Sequence, residues 1–86
     1  MSNIGVHPRI HERHPELDDE DVAAAMGAML RYVQRRSGEY VAIGVDGDGR
    51  ILELVYTYDP DEDFFFVFHG MTPPSRKTLQ ELRMER

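Results

Sequence analysis

The chain has 86 residues, a formal net charge of −6 from 16 acidic and 10 basic side chains, and no cysteine. That length supports one domain over residues 1–86 with a modest core, for which oligomerisation is helpful. The missing thiols exclude disulfides, a thiolate nucleophile and a thiolate metal site, and the acid excess excludes a nucleic-acid footprint over the whole surface while leaving room for a local basic patch.

The opening segment "MSNIGVHPRI" lacks the basic region and apolar run of a signal peptide, and no apolar stretch approaches the roughly 20 residues that span a bilayer. A soluble, cytoplasmic protein is expected. "HPRIHERHP" is bracketed by Pro8 and Pro15 and predicts a short helix from Pro8 to His14, with Ile10 turned inward. Asp18 then has the makings of an N-cap with Asp21 at the third helical position, and Leu17 stands to Val22 as a hydrophobic staple does. Asp19, Glu20 and Asp21 suit the positive end of a helix dipole, and Arg31, Arg35 and Arg36 its negative end. A helix from Asp19 to about Arg35 is predicted, with Val22, Ala25, Met26, Met29, Leu30 and Val33 as a buried stripe.

After "SGEY" the period changes to two. "EYVAIGV" and "RILELVYTY" read as strands joined by the turn "DGDG", and the acidic turn "DPDED" leads to a third strand, "FFFVFH", from Phe64 to His69. That last run is apolar on both faces, so a central or doubly covered strand is expected. In "TPPSRKTLQELRMER", Thr72 or Ser75 caps a C-terminal helix whose Leu79 and Leu82 share a face. The predicted architecture is α+β: two N-terminal helices, a three-stranded antiparallel meander that "NIGV" would extend to four strands, and a C-terminal helix.

Candidate chemistry concentrates in three places. "TPPSRKT" joins the unpaired N–H groups of a helix start to Arg76 and Lys77, a combination suited to an anion. His69 ends the phenylalanine-rich strand, alternates with Phe65 and Val67, and reads equally as a structural or a proton-transferring group. His7, His11 and His14 fall at i, i+4 and i+7, the spacing of a zinc site if the first helix is regular throughout. "DGDG" begins like a calcium loop, but Arg50 and Thr57 occupy positions where acidic ligands are required, so it reads as a hairpin turn. Tyr56 and Tyr58 alternate onto one sheet face, where they would line a groove.

The segments "ERHPELDDEDVAAAM" and "YVAIGVDGDGRILELVYTYDPDEDFFFVFHGMTPPSRKT" resemble the BrnT-like toxins of bacterial type II toxin-antitoxin systems, within the RelE/ParE superfamily. The shared features are a histidine-bearing short helix, a helix opening in acidic residues, a "VAIG…DGR" hairpin, and a last strand passing into a Lys/Arg-rich helix start. The resemblance implies a compact, metal-independent ribonuclease neutralised by a small antitoxin protein, needing no cofactor, with His14, Arg76 and Lys77 at its RNA-handling site. His69 joins them as a candidate for proton transfer. The alternative reading is a non-catalytic protein-binding module or small homodimer of the same fold, and the acidic net charge favours it.

Overall fold

The computed structural model describes residues 3–84. Strand β1 (Asn3–Val6) is followed by helices α1 (Arg9–Arg13) and α2 (Asp19–Gly27), then strands β2 (Met29–Gln34), β3 (Tyr40–Val45), β4 (Ile51–Asp59) and β5 (Phe64–Met71), and finally helix α3 (Arg76–Glu81). The strands form one five-stranded sheet in the order β1-β5-β4-β3-β2. β1 runs parallel to β5 and every other neighbouring pair is antiparallel. The expected meander is therefore the centre of a wider mixed sheet, with β1 and β2 as its edges.

Period-two alternation divides the sheet into two apolar layers. Ala42, Leu52, Leu54, Tyr56 and Val67 face α1 and α2, where Ile10, Leu17, Val22, Ala25 and Met26 complete the larger core. Val41, Ile43 and Val55 face the other way and meet Leu82, with Leu79 and Phe68 packed around them. β5 lies between β1 and β4 and feeds both layers, Phe65 to the first and Phe68 to the second, as its unbroken apolar run requires. α2 lies so close to β3 that a Cβ at Gly44 would overlap the carbonyl oxygen of Ala25.

The start of α2 follows the sequence. The Asp18 side chain accepts from Asp21 N–H at 2.9 Å, the Asp21 carboxylate accepts from Asp18 N–H at 3.0 Å, and Leu17 and Val22 are wholly buried. Its end does not. The helix predicted to reach Arg35 stops at Gly27, and Met29–Gln34 form the edge strand β2, bonded to β3. Leu30 and Val33 of the predicted buried stripe are 59 % and 38 % exposed. The cause is tertiary: a ladder along β3 satisfies the backbone of "MLRYVQ" as well as a helix does, and that window is short enough to fit either period. Arg31 and Arg35 accordingly serve α3, not α2. Arg31 donates to the carbonyls of Leu82 and Arg83 at 3.0 and 3.2 Å, and Arg35 grips both carboxylate oxygens of Glu81 at 2.8 and 2.9 Å.

Candidate functional site

β1 pairs with only the first half of β5, Phe64–Val67, and the ladder closes with His7 N–H donating to the Val67 carbonyl at 2.8 Å. Past that point α1 packs beside β5 in place of a strand. The β4–β5 register also shifts there: Tyr56 faces Val67 and Val55 faces His69, so Phe68 is an extra residue on β5. A bulge of this kind re-aims the side chains beyond it. His69 was expected to share a face with Phe65 and Val67; it turns instead to the α3 side, where Glu53 of β4 waits.

His69 Nε2 lies 2.7 Å from Glu53 Oε2, and Ser75 N–H donates to the other oxygen, Oε1, at 2.7 Å. Glu53 is 5 % exposed. Burial works to raise its pKa, but hydrogen bonds from His69, Ser75 and Thr78 outweigh that and hold the carboxyl down at about 2. An ionised carboxylate only accepts, so the shared proton belongs to His69 Nε2. Nδ1, which has no partner among the described residues, is then the nitrogen available for proton transfer, on a side chain 37 % exposed. The buried acid fixes the tautomer and orientation of a half-exposed imidazole.

Two adjoining hollows share Phe68 and His69. One, a cleft of about 270 Å³, is lined by Arg9, Ile10, Arg13 and His14 of the α1 region with Phe68, His69 and Gly70 of β5. The other is lined by Arg35, Glu53, Val55, Ser75, Lys77 and Thr78. His14 and His69 thus line one cleft, and Lys77 lies in the neighbouring hollow. Arg76 is exposed at the first position of α3 and lines neither. The cap of α3 is Ser75, whose Oγ accepts from Thr78 N–H at 3.3 Å; Thr72 instead donates to the Ile51 carbonyl at 2.6 Å. Two of the donors expected to meet an anion at this helix start, Ser75 N–H and Thr78 N–H, are therefore occupied within the chain.

The N-terminal histidines do separate jobs. His7 Nδ1 accepts from Arg9 N–H at 3.0 Å, His11 Nδ1 lies 2.8 Å from the Leu17 carbonyl, and His14 is 4.0 Å from Glu16. No zinc cluster of the three forms among the described residues. Asp21, Asp46 and Asp48 do gather, with carboxylate oxygens within 4.8 Å of one another, but the cation among them is Arg50, at 3.1, 2.8 and 4.0 Å. Asp46 also accepts from Asp48 N–H and Arg50 N–H at 3.0 and 2.9 Å, which closes the "DGDG" hairpin.

Arg9, Arg13, Glu53 and Phe68 belong to this region and escaped sequence reasoning. Glu53 left a trace: it is the one charge in the apolar run "ILELVY", and a buried charge needs a partner. The bulge that brings His69 to it left none. No family model, curated protein or solved structure matches the chain.

Proposed function

We propose that this chain is a BrnT-like toxin domain of the RelE/ParE superfamily, a metal-independent ribonuclease neutralised by a partner antitoxin. The observation that carries this reading is the buried Glu53 carboxylate holding His69 at a cleft that Arg9, Arg13 and His14 also line. Cleavage through the 2′-OH needs a base, an acid and cations for the phosphorane. His69 and His14 fill the proton-transfer roles, and Arg9 and Arg13 receive the phosphate. Lys77 extends the cationic path along α3 and contacts a flanking phosphate, while Arg76 lies outside both hollows.

Incubation of the purified chain with single-stranded RNA in EDTA tests the proposal. The expected result is fragments ending in 2′,3′-cyclic phosphate, with a loss of at least about a hundredfold in rate for His69→Ala and for His14→Ala. Intact RNA, or cleavage unaffected by both substitutions, overturns it. The protein-binding alternative draws on a different observation: the edge strand β2 leaves Leu30, Tyr32 and Val33 uncovered.

A further inference from the structure

A separate concavity opens on the sheet face that α1 and α2 cover, yet no residue of either helix lines it. Met29, Tyr32, Tyr40, Tyr56, Tyr58 and Phe65 enclose a hollow of about 270 Å³ that shares no residue with the His14–His69 cleft. The rings of Tyr40 and Tyr56 stack at 5.2 Å, and Tyr32 lies 6.1 Å from Tyr40 and Phe65 4.4 Å from Tyr58. The Tyr56 hydroxyl donates to the Met29 sulfur at 3.5 Å and the Tyr58 hydroxyl to Asp63 at 2.9 Å, so both phenol tips are engaged within the chain. A core packs its rings away from water; here Tyr32 is 61 % and Tyr58 37 % exposed.

Two further observations define what fits. The turn that follows Tyr58 carries Asp59, Asp61, Glu62 and Asp63, and Asp63 reaches the rim of the hollow by accepting from the Tyr58 hydroxyl, so the chain beside the hollow is acidic. The other side is β2, whose outer edge pairs with no strand among the described residues. β2 is lightly protected as an edge: a bulge at Leu30 interrupts its start, but Arg31–Gln34 pair regularly with β3, there is no proline, and the one charge, Arg31, is spent on the carbonyls of Leu82 and Arg83. Ring faces carry negative potential and attract a cation laid over them, and an open edge accepts an extended segment through main-chain hydrogen bonds.

We propose that the tyrosine hollow and the edge of β2 form a docking surface for an extended, basic segment of a partner polypeptide. The segment adds to β2 as an outer strand and lays an arginine or lysine side chain across Tyr32, Tyr40 and Tyr58. Charge selects this occupant over a second copy of the chain. Two copies would each bring a net charge of −6, and the one cation within the edge strand, Arg31, is already committed to the carbonyls of Leu82 and Arg83. The proposal does not rest on ribonuclease activity.

The test is an NMR titration of the isotope-labelled full chain with a blocked peptide of alternating valine and arginine, beside the same peptide with citrulline, its neutral isostere, for arginine. The expected result is saturable shifts in the β2 amides and in the rings of Tyr32, Tyr40, Tyr58 and Phe65. Affinity should fall about tenfold or more with citrulline, and about fivefold with Tyr32→Leu, which keeps the apolar bulk but removes the π face. Tyr32 is well exposed, so its replacement leaves the fold intact, and unchanged spectra elsewhere verify this. Equal binding of the two peptides, shifts confined to the His14–His69 cleft, or concentration-dependent self-association through β2 would each overturn it.

Discussion

At position 53 a glutamate interrupts an apolar strand, and the chain spends hydrogen-bond donors of three residues, His69, Ser75 and Thr78, on keeping it ionised. Its pKa falls from an ordinary 4.5 to about 2 in the folded protein, so folding favours the deprotonated form. A depressed carboxylate stabilises the fold in full above its unfolded value, and that contribution drains away as pH falls from about 4.5 through about 2. The span corresponds to about 3 kcal/mol. Urea unfolding at a series of pH values should show a loss of that order across this window. In Glu53→Gln the loss across the same window should shrink by about that amount, leaving the part due to Asp46, Glu39 and Glu81, whose hydrogen-bond partners hold their carboxyls down as well. Stability at pH 7 should already be lowered by about 2 kcal/mol, because the amide makes weaker bonds to His69 and Ser75. An unchanged pH profile in the variant would assign the acid sensitivity to other carboxylates. The glutamate was visible in the sequence as an anomaly; its partner was not, because a one-residue bulge moved His69 to the opposite face from the one alternation gives.

At the scale of elements, legibility depended on whether local chemistry or tertiary contact decided the outcome. The capping box at Asp18, the "DGDG" hairpin, and the start of α3 at Ser75 are local, and their residues predict them. The passage from α2 to β2 is not local. Met29, Leu30 and Val33 satisfy a helical stripe, but β3 needed an edge partner and the following residues supplied it. β1 was legible only as a short extended segment, and its parallel pairing with β5 depends on a contact between the two ends of the chain. The α2–β3 contact is tight enough to test directly. Gly44 is the point where the helix backbone meets the sheet, and Gly44→Ala pushes a methyl group into the Ala25 carbonyl. Backbone cannot yield as a flexible side-chain tip does, so the expected cost is about 3 kcal/mol. Thermal unfolding should show a clear drop for this variant, whereas Gly27→Ala, which meets no neighbour within 4 Å, should be neutral or mildly stabilising. Equal effects at the two glycines would mean that α2 is free to lift from the sheet.

For the whole molecule, the central question is how a chain with a net charge of −6 would handle RNA. Many of its carboxylates are committed locally: Asp21 and Asp46 to Arg50, Glu81 to Arg35, and Glu53 to His69. Arg9 and Arg13 in the cleft, and Lys77 in the hollow beside it, form a small cationic stripe on an acidic body. A site of this kind has a thermodynamic signature different from that of a basic RNA-binding protein. Each phosphate neutralised on a single strand contributes about −0.7 to the slope of log affinity against log salt, so three contacts give a slope of about −2. Affinity of the His69→Ala protein for a short RNA should therefore fall about fifteenfold between 50 and 200 mM salt. Replacing Arg9 and Arg13 together by glutamine should reduce the slope to about −0.7 and weaken binding at low salt most. Fluorescence anisotropy over a salt series measures both numbers. A slope near zero would mean that RNA does not enter through this cleft, and one much steeper than −2 would require cations beyond Arg9, Arg13 and Lys77.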